Sequence, residues 1–487
     1  MTGPGERRAA GPAPHDPGPW EQEPWARSFA ELWAALLPVG RTPAGYRRYS
    51  WTPADLACRA WFTATAEARG LPVECDGNGN LWAWWHPAAT VAASTIPGAP
   101  GALDGRAVAV GSHLDSVPDG GAFDGPLGVA SAFAAIDLLR ERGFGPARPV
   151  AVAAFTEEEG ARFGVACLGS RLLAGAIGPA AAAGLRDGDG VSLAEAMAGG
   201  GLDPALLGPD DERLAGLAAY VELHIEQGSA LDGLGAPVGL AAGIWPHGRW
   251  RLEFSGRADH AGTTTLPDRH DPMLPFAAAV LAAREAAVQH GALATFGKVI
   301  AEPGAANGIS SAVRAWLDAR APDEATLDSM VAEVSAAAQA AAAEHGVALD
   351  LRRESFTPAV SFDPALTARI AGVLAAAPGG AVSSGGAVSS GGAVSSGGAV
   401  SSGGAVSSGG AAPSGGPDPG RPGRAIPVLP TGAGHDAGIL AARLPTAMLF
   451  VRNPTGVSHS PAEHASRADC LAGVAALAAV LADLAGS

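Results

Sequence analysis

The sequence predicts an α/β fold with a central mixed, mostly parallel sheet and a smaller α+β domain inserted into it. Three observations carry this reading. Apolar runs without alternation recur at 107–110, 150–155, 220–223 and 447–451, which is how parallel strands buried on both faces look. Strand-like and helix-like segments alternate up to about Gly235. From 239 to 349 the character changes, with helix-like 271–289 and 323–344 set among strand-like 250–255, 293–300 and 312–319.

The elements follow in chain order. Residues 1–24 are rich in Gly, Pro and Ala and read as a disordered tail; lacking an apolar h-region, they read as neither signal peptide nor anchor. A helical pattern begins near 25–37, and Leu56, Ala57, Ala60, Trp61, Ala64 and Ala68 give a second over 53–69. The first part of the catalytic domain is then 25–238, the inserted domain 239–349, and the second catalytic part 350–487. That last part contains five tandem Ala-Val-Ser-Ser-Gly-Gly copies at 381–410. A period of six suggests a β-solenoid, but one Val per repeat cannot offset backbone entropy, so 379–424 reads as a disordered insertion with a small closure cost. Structure is expected to resume at 425–429.

Composition narrows the function. A chain of 487 residues exceeds what one core usually holds, and 47% hydrophobic content is ample for two. A net charge of −16 argues against nucleic acid, whose phosphates would be repelled. Cys58, Cys75, Cys167 and Cys470 lie far apart with no C-x-x-C pair, which reads as packing thiols in a reducing cytoplasm. No stretch reads as long and apolar enough to span a bilayer.

The chemistry sits where the apolar runs end. The first leads into His113-Leu114-Asp115 and then Asp124-Gly125; the second into Glu157-Glu158-Glu159; the third into His224-Ile225-Glu226-Gln227; the last toward Ser458-His459. In open α/β sheets ligands bind beyond the carboxyl ends of the strands. Imidazole and carboxylate are the ligand set of zinc and its first-row neighbours. For these residues to be merely solvated, the bland reading has to hold four times over.

The segments His113-x-Asp115, Asp124-Gly125, Glu158-Glu159-Gly160-Ala161-Arg162-Phe163, His224-Ile225-Glu226-Gln227-Gly228, His260-Ala261-Gly262-Thr263-Thr264 and Ser458-His459-Ser460-Pro461-Ala462-Glu463 occur in one order. Together they resemble the dinuclear metallo-amidohydrolases that include allantoate amidohydrolase, N-carbamoyl-L-amino-acid hydrolase and beta-ureidopropionase. The resemblance spans roughly Trp51 to the C-terminus. It implies a zinc-peptidase-like catalytic domain, an inserted lid and dimerisation domain, a homodimer, and two divalent metal ions per subunit. Zinc suits the donors, and manganese, cobalt and nickel remain open.

The resemblance also implies roles. Asp124 would bridge the ions, since a carboxylate can do so and an imidazole cannot. His113 and His224 would complete one ion's shell, and Glu159 and His459 the other's. Glu158 would be general base and later proton donor to the leaving nitrogen, while Asp115 would fix the tautomer of His113. Glu157 reads as a helix N-terminal or surface carboxylate. His260 would meet the developing oxyanion from the partner subunit; Thr265 stands where the family usually has proline. Arg320 would grip the substrate carboxylate with its planar fork, with Asn307, Gln227 and His247 as further pocket residues.

The expected reaction is hydrolysis of a ureido C–N bond in a small carboxylate, releasing ammonia and carbon dioxide. Allantoate and an N-carbamoyl-L-amino acid are both open, with residues 450–456 leaning toward allantoate. Alternatives are an aminoacylase or dipeptidase on the same dinuclear scaffold, or a metal-stabilised scaffold without catalysis. The presence of Glu158 speaks against the last.

Overall fold

The computed structural model describes residues 22–88, 106–376 and 425–486. The repeat insertion and residues 1–21 of the expected tail lie outside them. The strands of the two principal sheets are, in chain order, β1 (Val73–Cys75), β2 (Leu81–Trp85), β3 (Ala107–His113), β4 (Val150–Phe155), β5 (Leu217–Ile225), β6 (Val238–Ile244), β7 (His247–Ser255), β8 (Leu293–Glu302), β9 (Ala312–Arg320), β10 (Ala348–Thr357), β11 (Val360–Ser361), β12 (Val428–Thr431) and β13 (Thr446–Val451). The helices used below are α1 (Pro24–Leu36), α2 (Pro53–Glu67), α3 (Pro126–Glu141), α4 (Leu168–Ala174), α5 (Met273–His290), α6 (Glu324–Glu344), α7 (Pro364–Ala376), α8 (Asp436–Leu440) and α9 (Arg467–Ala485).

The large sheet runs β11-β6-β13-β5-β3-β4-β2-β1, with β12 paired to β6. Its centre, β13-β5-β3-β4, is parallel, and β6, β2 and β1 join antiparallel toward the edges. Every residue of β3, β4, β5 and β13 is buried, which is why their sequences lack alternation. One face, with Val108, Val110, Val152 and Leu223, packs on α1, α2, α3, α7 and α9. The other, with Trp82, Ala109, Tyr220 and Met448, packs on α8 and its neighbours.

Helix α9 corrects one expectation, because Arg467–Ala485 is by length and composition apolar enough to cross a membrane. Most of it is buried inside the protein, where it packs on α3 and β13. Burial of Leu471, Val474, Leu477 and Leu481 is worth roughly 1.5–3 kcal/mol each. Core packing therefore accounts for its composition.

The second sheet is antiparallel, in the order β8-β9-β7-β10, and packs one face on α5 and α6 through Trp250, Leu252, Phe254, Val313 and Leu317. It lies between strands of the large sheet in sequence. Its limits differ from the expected 239–349. Strand β6 belongs to the large sheet through β13, and β10, with charged Asp350, Arg352, Arg353 and Glu354, is the inserted domain's fourth strand.

Candidate active site

The parallel strands β3, β4, β5 and β13 deliver their C-terminal residues to one edge. His113 is the last residue of β3, and His224 is the penultimate residue of β5. Both are fully buried. Asp124 comes from the turn before α3, where Gly125 takes a φ of 81°; a Cβ there would lie 2.4 Å from the His113 ring. Glycine thus lets the carboxylate turn back over the imidazole.

Asp124 is the centre of the arrangement. Its Oδ1 lies 3.1 Å from His224 Nε2 and 3.5 Å from His113 Nε2, and its Oδ2 lies 3.5 Å from His459 Nε2. His459 Nε2 is also 3.5 Å from Glu159 Oε2. Three groups of metal-capable atoms lie here among the described residues: His113/Asp124/His224 and Asp124/Glu159/His459, which share Asp124, and Glu222/His224/His435. His113 Nε2, His224 Nε2 and Glu159 Oε1 are buried without a hydrogen-bond partner in the protein. Unpaired buried polar atoms cost several kcal/mol unless something binds them, so the donor set fits bound cations.

The surrounding backbone aims these groups. His224 Nδ1 is 2.9 Å from the carbonyl of Ile225, which as an N–H donor leaves Nε2 free to ligate. His113 Nδ1 lies 3.4 Å from Asp115 Oδ1 and 3.3 Å from the Asp115 carbonyl. The two Asp115 carboxylate oxygens accept the N–H groups of Glu158 and Glu159 at 3.2 and 3.1 Å. Asp115 therefore ties the β3 end to the β4 end.

Glu158 has Oε2 3.7 Å from His113 Nε2, and its Oε1 accepts from the Cys167 thiol at 3.3 Å. Burial holds its carboxyl well above the usual range, opposed by His113 and reinforced by Asp436 and Glu159. Burial alone would lower His113, yet Glu158, Asp115 and Asp124 raise it well above the ordinary histidine range. Glu157 is not a surface carboxylate. It is buried, with a φ of 55°, and its Oε1 accepts the N–H groups of Arg162 and Phe163 at 2.8 and 2.7 Å. Its role is to fold the turn after β4.

Gln227 donates from Nε2 to Asp124 Oδ2 at 2.8 Å, beside the candidate ligands. In the inserted domain, Arg320 and His247 face each other across β9 and β7. Arg320 Nε and Nη2 contact Asp318 at 2.8 and 3.3 Å, and Nη1 donates to the carbonyl of Gly432. His247 is half-buried, with Nδ1 3.2 Å from the Trp245 carbonyl, and burial and the Arg320 charge lower its pKa. His260 and Asn307 are exposed on a small ladder where the Asn307 carbonyl accepts from Ala261 N.

Two residues escaped the sequence reading. His435, at the start of α8, is buried with its ring 4.6 Å from that of His224, and its Nε2 has no partner in the protein. Burial and the neighbouring His224 hold it well below the ordinary histidine pKa, so it is a neutral donor or acceptor. Glu222, two residues before His224 on β5, fixes this loop by accepting from Ala437 N at 2.9 Å and Ser112 Oγ at 2.7 Å. The signal for His435 was present in the sequence, where the apolar residues 425–429 are followed by the glycine-rich Gly432-Ala433-Gly434 and then by metal-capable His435-Asp436.

The cysteine expectation also changes. Cys58, Cys167 and Cys470 are buried, whereas Cys75 is exposed and accepts from Arg59. An open cavity of about 700 Å³ lies at the other end of the strands, beside Arg106 and Pro149, and contains none of the site groups.

The model of peptidase family M20/M25/M40 matches residues 109–396 and 421–483, more than half of the chain. The chain belongs to this family. Among its relatives is N-carbamoyl-L-amino acid amidohydrolase of Geobacillus stearothermophilus, 33% identical over 451 residues, which are 92% of this chain and 96% of that one. Allantoate amidohydrolase of Escherichia coli is 29% identical over 96% of this chain and 97% of its own. The crystal structure of a hydantoinase/carbamoylase family amidase from Burkholderia ambifaria superposes with a TM-score of 0.73 at 29% identity, covering 95% of this chain and 98% of that one. These M20 relatives span the catalytic parts and the inserted domain alike.

Proposed function

We propose that this M20 protein hydrolyses the ureido C–N bond of a small carboxylate substrate at a centre of two divalent ions. The observation that carries this reading is the pair of ligand groups sharing Asp124, with Glu158 beside them. His113 and His224 would hold one ion with Asp124, and Glu159 and His459 the other. Zinc fits these donors, and manganese, cobalt or nickel would find the same ligands acceptable. When bound, the ions would supply Lewis-acid polarisation and make water a competent nucleophile near neutrality.

The chain's own groups supply the rest. Glu158 takes a proton from the attacking water as its oxygen bonds to the ureido carbon, and returns a proton to the nitrogen that leaves. The carbamate so released decomposes to carbon dioxide and ammonia. Arg320 binds the substrate carboxylate, and its contact to Gly432 sets it against the loop that carries His435. His435 and His260 are the donors for the charge developing on the carbonyl oxygen. Asn307, Gln227 and His247 are the remaining pocket candidates, and Asp115 keeps His113 aligned.

The lid favours a homodimer. Leu274, Leu281 and Val288 are exposed at seven-residue spacing on α5, next to the lid's edge strand β8 with exposed Leu293 and Val299. A second copy covering this face would bring an exposed His260 toward the other subunit's site. The relatives named for N-carbamoyl-L-amino acids and for allantoate both support a ureido substrate. The lean to allantoate loses the support of residues 450–453, which have structural roles. Phe450 and Val451 are core, Arg452 is paired with Asp469 at 2.8 Å, and Asn453 caps its own turn.

The test is ammonia release by metal-reconstituted protein given allantoate, N-carbamoyl-L-amino acids, N-carbamoyl-beta-alanine and N-acetyl-amino acids. Ammonia from a ureido substrate is the expected result and identifies the member. Free amine from acylated or peptide substrates without ammonia would make the protein an aminoacylase or dipeptidase, and no turnover at all would leave only a metal-stabilised scaffold.

A further inference from the structure

We propose that Glu463 is a positioning residue that builds the second ion site by fastening the Asp124 turn to the His459 loop. The inference rests on reading Asp124/Glu159/His459 as an ion site. Glu463 Oε2 accepts the N–H groups of Phe123 and Asp124 at 2.9 and 3.0 Å, across more than 300 residues of sequence. Its Oε1 lies 3.5 Å from Ser458 Oγ, and that hydroxyl also lies 3.2 Å from Asp124 Oδ2. One side chain therefore holds both the backbone of the shared carboxylate and the residue preceding His459.

The two halves of the centre depend on this clamp unequally. His113 and His224 stand on central strands, so their own places do not rest on the C-terminal loop, and they face Asp124 Oδ1. His459 is on a loop, has a left-handed φ of 55° and is half-exposed, and it faces Oδ2. A non-glycine residue in that conformation persists only where its surroundings over-determine it. Glu463 supplies that restraint, and Gly121 makes room for it: a Cβ at Gly121 would lie 2.3 Å from Glu463 Oε2 and 2.6 Å from its Cβ.

Cobalt titration of the full-length apoprotein, read by visible absorption and metal analysis with thermal unfolding in parallel, tests the proposal on E463A, E463Q and G121A. Wild type should take up two ions. E463A should keep one ion at wild-type affinity and weaken the other roughly 10- to 100-fold, the range for groups that orient ligands. Its kcat should fall with little change in KM. E463Q, whose amide oxygen can accept the same two N–H groups, should stay within a few-fold of wild type; G121A, which displaces an intact carboxylate, should follow E463A and carries the test if E463A does not fold. Two ions bound by E463A at wild-type midpoints would overturn the proposal, as would equal weakening of both ions together with a lowered Tm. Fewer than two ions on wild type would instead overturn the dinuclear reading on which it rests.

Discussion

The edge of the large sheet and the inserted domain present their candidate site residues under different physical conditions. At the sheet edge, His113, His224, Asp124 and Glu158 are buried, and Asp115, the Ile225 carbonyl and the Cys167 thiol orient them. In the lid, His260 and Asn307 are exposed, and Arg320 spends one side of its fork on Asp318. The difference teaches that folding alone arranges the candidate ligands His113, His224 and Asp124. On the function proposed above, the substrate-binding half would be completed by substrate, by the position of the inserted domain and by a second copy.

The largest expected effect is on the sheet edge. E158Q should lower ammonia release by roughly 10²- to 10⁴-fold, the usual span for a general base, while metal analysis still finds both ions. Loss of the ions along with activity would place Glu158 among the ligands and blur the division. Chelation of the wild type should abolish turnover, with recovery on adding back zinc or manganese.

A smaller and different effect is expected in the lid. R320K keeps the charge but loses the planar fork, so KM should rise about 10- to 100-fold, as expected for one charge-assisted hydrogen bond of roughly 1.5–3 kcal/mol. Steady-state kinetics should find kcat within a few-fold. A fall in kcat at constant KM would mean that Arg320 acts on the reacting carbon and that the lid is catalytic in its own right.

The smallest effect concerns stability rather than the chemistry of either region. Burial pushes the Asp55 carboxyl up to about 6, partly offset by Arg59. The folded state then binds more protons than the unfolded state between about pH 4 and pH 6, so this group's contribution is present at low pH and is lost as pH rises through about 6. D55N, whose side-chain oxygen can still accept from Trp51 N, should gain roughly 1–3 kcal/mol on wild type between pH 4 and pH 7. Urea unfolding at the two pH values checks this, and a constant difference would contradict it.

The same contrast explains what was legible in the sequence. Central strands buried on both faces have to be apolar throughout, so β3, β4, β5 and β13 announced themselves and fixed where His113, Glu158 and His224 emerge. Strand β10 did not, because it is mostly exposed and carries four charged residues, Asp350, Arg352, Arg353 and Glu354, in five positions. His435 was obscured because its strand, β12, is short, contains Pro430 and pairs beside β6 rather than at the centre. Residues 450–456 leaned the reading toward allantoate, and only packing shows that Arg452 within them pairs with Asp469. Tertiary pairing of charges has no local signature.

The most direct test of the division is a dimer whose two subunits carry different lesions. E158Q and H260A, each expected to be nearly inactive as a homodimer, are co-expressed with different tags and purified as the doubly tagged species. One intact site should form, from Glu158 of one chain and His260 of the other, and ammonia release should return to about half the wild-type rate per dimer. A mixed dimer no more active than its parents, or the failure of any doubly tagged species to form, would contradict a site completed by the partner's lid.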